Sequence, residues 1–101
     1  MGPGMADTKA ITSLVQLNKT NFATWKVQCK MLLINNGLWD IVSEKEKDPG
    51  ASDKEKQAKF VARRDKALSI IVLAVDPSLL YLLGDPTNPL DVWKRLQNQF
   101  Q

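Results

Sequence analysis

Ala67-Leu68-Ser69-Ile70-Ile71-Val72-Leu73-Ala74-Val75 is apolar at every position but one. A run this short fits either a buried strand or the buried half of a helix, and its own periodicity does not choose between them. Its flanks do. Upstream, Ser52-Asp53-Lys54-Glu55 carries the Ser-x-x-Glu pattern of a capping box. No Gly or Pro interrupts the chain between there and Val75, and Asp76-Pro77 stops it. Phe60, Ala67, Leu68, Ile71 and Val75 recur at steps suited to a 3.6-residue period. The reading is one helix of about 23 residues, amphipathic in its first half and apolar all round in its second. Such a helix belongs in a core, so the remaining segments must supply the helices that cover it.

With 101 residues the chain suits a single domain. A charged fraction of 25% and a net charge of +3 are ordinary for a globular protein, and they permit but do not argue for nucleic-acid binding. The chain has no histidine and one cysteine, Cys29. That composition excludes a zinc finger, a zinc knuckle and a histidine-based triad within these residues, and it excludes an intramolecular disulfide. No apolar run approaches the ~18 residues of a membrane span, and no secretory signal is visible. The expectation is an intracellular, cytoplasmic protein with no membrane contact, no cofactor and no catalytic activity. The acidic residues Asp40, Asp85 and Asp91 fall at turns and caps, where they have structural work.

Outward from the central run, the N-terminus comes first. Met1-Gly2-Pro3-Gly4 ahead of Met5 reads as a cloning scar. Residues 5–19 read as an extended arm in which Ile11, Leu14, Val15 and Leu17 are apolar enough to dock. Thr20 or Asn21 can cap the next helix, and Gly37 can end it. Within it Phe22, Trp25, Cys29, Leu32 and Leu33 form one stripe. Val27, Met31 and Ile34 form a second on nearly the opposite side. Either both stripes are buried within the domain, or the second meets another subunit or a ligand. Trp39 follows in a short helical turn, and Asp48-Pro49-Gly50 marks a loop. Lys56, Lys59, Arg63 and Lys66 place a basic stripe on the long helix, either a solvated face or a weak nucleic-acid patch without interleaved aromatics. Arg64 falls on the apolar side with no evident partner. Asp76-Pro77 and Asn88-Pro89 each read as a cap followed by proline at the first helical position. Leu90, Trp93, Leu96 and Phe100 then recur on one face of a last helix, which meets no stop signal and so implies a longer protein. The sum is an all-α bundle of about five helices. Its expected core is Phe22, Trp25, Cys29, Leu32, Leu33, Trp39, Phe60, Leu68, Ile71, Val75, Trp93 and Leu96.

Leu17-Asn18-Lys19-Thr20-Asn21-Phe22-Ala23-Thr24-Trp25 has the form L-x-x-x-N-[YF]-x-x-W, and in this it resembles the opening of the Gag polyprotein family of Copia-type LTR retrotransposons. Leu32-Leu33 with Gly37-Leu38-Trp39-Asp40-Ile41-Val42 resembles its following segment. Phe60, Asp65, Ala67 and Ile71, and then Val92-Trp93-Lys94-Arg95-Leu96 with Phe100, resemble its later helices, with Phe60 standing where tryptophan is usual and Cys29 where methionine is common. The resemblance implies that residues 20–101 are a capsid N-terminal lobe like that of retroviruses. It implies a structural role, in which Gag subunits contact one another through helices and build a virus-like shell that packages the element's RNA. RNA would be held mainly by regions outside this stretch. Domesticated relatives imply an alternative, a peptide-binding adaptor with an apolar groove.

Overall fold

A computed structural model describes residues 14–101; the cloning scar, most of the arm and Ile11 lie outside the described residues. Among the described residues four α-helices and one 3-10 helix follow one another: α1 (Phe22–Asn35), α2 (Trp39–Val42), α3 (Lys54–Leu73), the 3-10 helix (Pro77–Leu83) and α4 (Pro89–Phe100). The described residues form no sheet, only an isolated parallel bridge between Leu17 and Val75. The all-α reading with about five helices therefore holds.

Local chemistry sets each boundary. At the end of α1 the Gly37 N–H donates to the Ile34 carbonyl and the Leu38 N–H to the Leu33 carbonyl, at 2.9 and 2.8 Å. This is a Schellman closure, and it needs the left-handed backbone that Gly37 adopts at φ 70°. Leu33 and Leu38, the apolar pair that accompanies such a closure, are both buried. Asp76 caps the 3-10 helix by accepting from the Ser78 N–H, and Asn88 caps α4 by accepting from the Leu90 N–H. Both are followed by proline at the first helical position. The Ser78 N–H and hydroxyl hold the Asp76 carboxyl below its usual range.

The long helix departs from its reading at both ends. Its N-cap is Asp53, whose carboxylate accepts from the Lys56 N–H at 3.0 Å, so the Ser52 capping box is not the device used. A carboxylate is favoured there because it also meets the positive end of the helix dipole. Asp53→Ala is expected to cost about 1 kcal/mol in urea unfolding, whereas Ser52→Ala stays within about 0.5 kcal/mol. Equal effects would return the cap to Ser52. At the other end α3 stops at Leu73: the Ala74 and Val75 N–H groups still donate into the helix, but the Ala74 carbonyl and the Asp76 N–H turn to Leu17, and Pro77 has no N–H to continue the ladder. The Ala74 carbonyl accepts from the Leu17 N–H at 2.9 Å, and the Asp76 N–H donates to the Leu17 carbonyl at 3.1 Å. The second half of α3 is not apolar all round in effect, since Leu73 is exposed and Leu68 and Val72 are half-buried against the core.

α4 packs across α2, α3 and the 3-10 helix, and α3 also meets α1. Through this junction runs a chain of rings: Phe100 on Phe22, Phe22 on Trp25, Trp25 on Trp93, and Trp93 edge-on to Trp39, with centroids 5.4–6.0 Å apart. Offset and edge contacts of this kind add to the stabilisation that burial alone gives. Trp39 ends the chain half-buried, with the Lys30 ammonium 5.1 Å from the centre of its ring. Phe22, Trp25, Cys29, Leu32, Leu33, Phe60, Ile71, Val75, Trp93 and Leu96 are all buried.

Candidate assembly surface

The fold puts one face of α1 inside and leaves the other outside. Phe22, Trp25, Cys29, Leu32 and Leu33 are its buried residues. About 100° per residue carries Val27, Met31 and Ile34 to the far side. They remain 58%, 50% and 46% exposed, so the domain does not bury the second stripe. Around them Ala23, Thr24, Gln28 and Asn35 are exposed as well. The outer face of α1 is thus seven exposed residues without a charge, about 17 Å long from Ala23 to Ile34 at helical rise.

The two charges on α1 lie between its faces, and each side chain is engaged away from the outer one. Lys26 Nζ is 3.1 Å from the Gln101 side-chain oxygen at the end of α4, and Lys30 lies over Trp39. A surface of this composition resembles the depleted-charge centre of a protein interface. The apolar triplet was readable from its spacing. The uncharged frame around it was readable too, from the absence of any acidic residue in α1 and the placement of its two lysines.

The basic stripe of α3 is arranged differently. Lys59 pairs with Glu55 at 3.4 Å across one helical turn. Arg63 is a tie: one guanidinium nitrogen meets Glu46 at 2.6 Å and another donates to the Gly37 carbonyl at 2.7 Å. It thereby binds the loop after α2 and the end of α1 to α3. Lys56 and Lys66 are exposed. The four side chains share a helix face, but the structure spends Arg63 on holding the fold and screens Lys59 with a carboxylate. Arg64, without a partner in the sequence reading, meets Asp65 at 3.6 Å, while its buried Nε has no hydrogen-bond partner among the described residues. It borders an open concavity of about 260 Å³ with Ile41, Phe60 and Leu90 at the base of α4. Cys29 is buried, which pushes its thiol up to about 12, so it stays protonated and unreactive at neutral pH.

A third arrangement was not read from the sequence. The Trp25 indole N–H donates 2.8 Å to the Ala74 carbonyl, which also accepts from the Leu17 N–H. The Asn21 side chain does not cap α1. It turns back, donating to the Gln16 carbonyl and accepting from the Asn18 N–H. Gln16 in turn donates to the Leu73 carbonyl. Residues 14–17 are strapped onto the end of α3, and Leu17 is fully buried. Leu17, Asn21, Phe22 and Trp25 therefore work together: anchor, clasp, ring contact and shared hydrogen bond.

The family model for the gag-polypeptide of LTR copia-type matches residues 29–101, and the chain belongs to that family. No curated protein and no solved structure matches the chain. Among the described residues no helix is long and apolar enough to cross a membrane.

Proposed function

We propose that this domain is the capsid N-terminal lobe of a Gag polyprotein, and that it self-associates through helix contacts while a shell forms around the element's RNA. The carrying observation is the uncharged, exposed face of α1 at Val27, Met31 and Ile34 in a chain of the gag family. Water-facing apolar side chains at three successive helical steps cost solubility unless a partner covers them. Other Gag subunits are the partners that a shell supplies. One helix face is a small interface, and a shell multiplies many such contacts by avidity. RNA is assigned to regions outside this stretch; what favours this is that Arg63, one of the four cations of the α3 stripe, is engaged with Glu46 and the Gly37 carbonyl.

The test is electron microscopy of the chain extended past Gln101 through the next lobe. Closed particles are expected from the natural sequence. The double variant Met31→Asp, Ile34→Asp is expected to yield none, while its circular dichroism and melting stay close to the parent, since both side chains face solvent. Particles from the double variant would remove α1 from the contact. A monodisperse solution of the natural chain at every concentration and salt would favour the peptide-binding adaptor instead.

A further inference from the structure

We infer that the α1 face meets the same face of α1 in a second copy, so that the contact is two-fold and self-complementary. This rests on the self-assembly reading above and specifies its geometry. The argument is one of charge. The face offers Ala23, Thr24, Val27, Gln28, Met31 and Ile34, with Asn35 at its end, and nothing among them attracts or repels an ion. A partner that covers it must bring a surface equally free of charge, because an ion pressed onto Met31 would be desolvated with no counter-charge.

The exposed faces of the other helices do not qualify: the 3-10 helix, uncharged itself, carries its exposed Tyr81 between Asp76 and Asp85. α3 presents Lys54, Glu55, Lys56, Lys59, Asp65 and Lys66, and α4 presents Asp91, Lys94 and Arg95. α1 itself does qualify. Its bordering cations, Lys26 and Lys30, are engaged to the side of the face, by Gln101 and by the Trp39 ring, and so do not bar a second copy from approaching. Met31 lies near the middle of the face. Its two copies therefore fall close to the two-fold axis whichever way the helices run, as a self-complementary contact requires. A face about 17 Å long and about 10 Å wide covers roughly 170 Å², far below the ~800 Å² per partner of a stable complex, so the contact is weak in the isolated chain.

The experiment is charge complementation in the 101-residue chain, with self-association followed by NMR diffusion and sedimentation up to about millimolar. Met31→Asp and Met31→Lys are each expected to weaken association about tenfold or more, because each brings like charges together in an apolar contact. An equimolar mixture of the two is expected to recover it to within a few-fold of the parent. Ile34→Asp with Ile34→Lys provides an independent second pair. Near-ultraviolet circular dichroism checks that each variant keeps the aromatic chain.

If the single variants dissociate and the mixtures do not recover, the face meets a different surface of the neighbour. The exposed Tyr81 on the 3-10 helix is the alternative there, and the two-fold inference falls while self-assembly stands. If the variants associate like the parent, α1 is not the contact. If the parent stays monomeric at millimolar concentration, the two-fold inference falls, while self-assembly is decided separately by the particles of the extended chain.

Discussion

Trp25→Ala is expected to lower the stability of the domain by about 3–5 kcal/mol, a large part of the about 5–15 kcal/mol that holds a protein of this kind folded. Trp25 is 1% exposed and stacks on both Phe22 and Trp93, so its loss opens the middle of the aromatic chain. It also removes a buried indole donor from the Ala74 carbonyl. Trp25→Phe separates the two contributions. It keeps a ring in place and deletes the hydrogen bond, and about 1–2 kcal/mol of the loss is expected to persist. Urea unfolding followed by the fluorescence of Trp39 and Trp93 measures both variants. A change under about 1 kcal/mol for Trp25→Ala would mean that the ring chain is not the centre of the core.

Leu17→Asp is expected to be at least as severe, and it tests a different part of the fold. Leu17 is fully buried and its backbone makes two hydrogen bonds to residues 74 and 76. Among the described residues no charged side chain is buried, so a carboxylate in that slot finds no buried cation there. The chain relieves the cost by releasing the strap, which gives up the buried side chain and the bridge together. The expected loss is about 3–5 kcal/mol, with the midpoint of thermal unfolding falling by well over 10 °C. Val15→Asp, two residues away but exposed, is the control and is expected to stay within about 0.5 kcal/mol. Equal responses at the two positions would show that residues 14–17 do not dock in solution.

Features written in neighbouring residues were legible. Gly37 as a helix terminator, Asp76-Pro77 and Asn88-Pro89 as helix starts, and the inner stripe of α1 all depend on residues a few positions apart. The outer stripe was legible as a pattern, and its exposure needed the fold, since only packing decides whether a second apolar face is covered. Ser52 and Asp53 compete for one role within one residue of each other, and pattern alone does not rank a serine box above an aspartate cap. The strap was out of reach for another reason. Leu17 is a single apolar residue in a polar stretch, and its partners lie 57–59 positions further along. The same distance hid the true end of α3, because Val75 looks like helix until the strap claims the backbone beside it. Arg63 reads as one of a row of cations, and only the loop that brings Glu46 and the Gly37 carbonyl to it makes it a structural tie.

The strap also fixes an order of events. Leu17 is among the earliest described residues to leave the ribosome, yet its backbone partners are Ala74 and Asp76. Contacts of such long sequence separation carry the largest loop-closure cost and form late. The turns of α1 and α3 can form locally, whereas the slot for Leu17 exists only after α3 has ended. The amide of Leu17 therefore gains protection from hydrogen exchange after those of the helices, and the segment synthesised early is among the last to find its place.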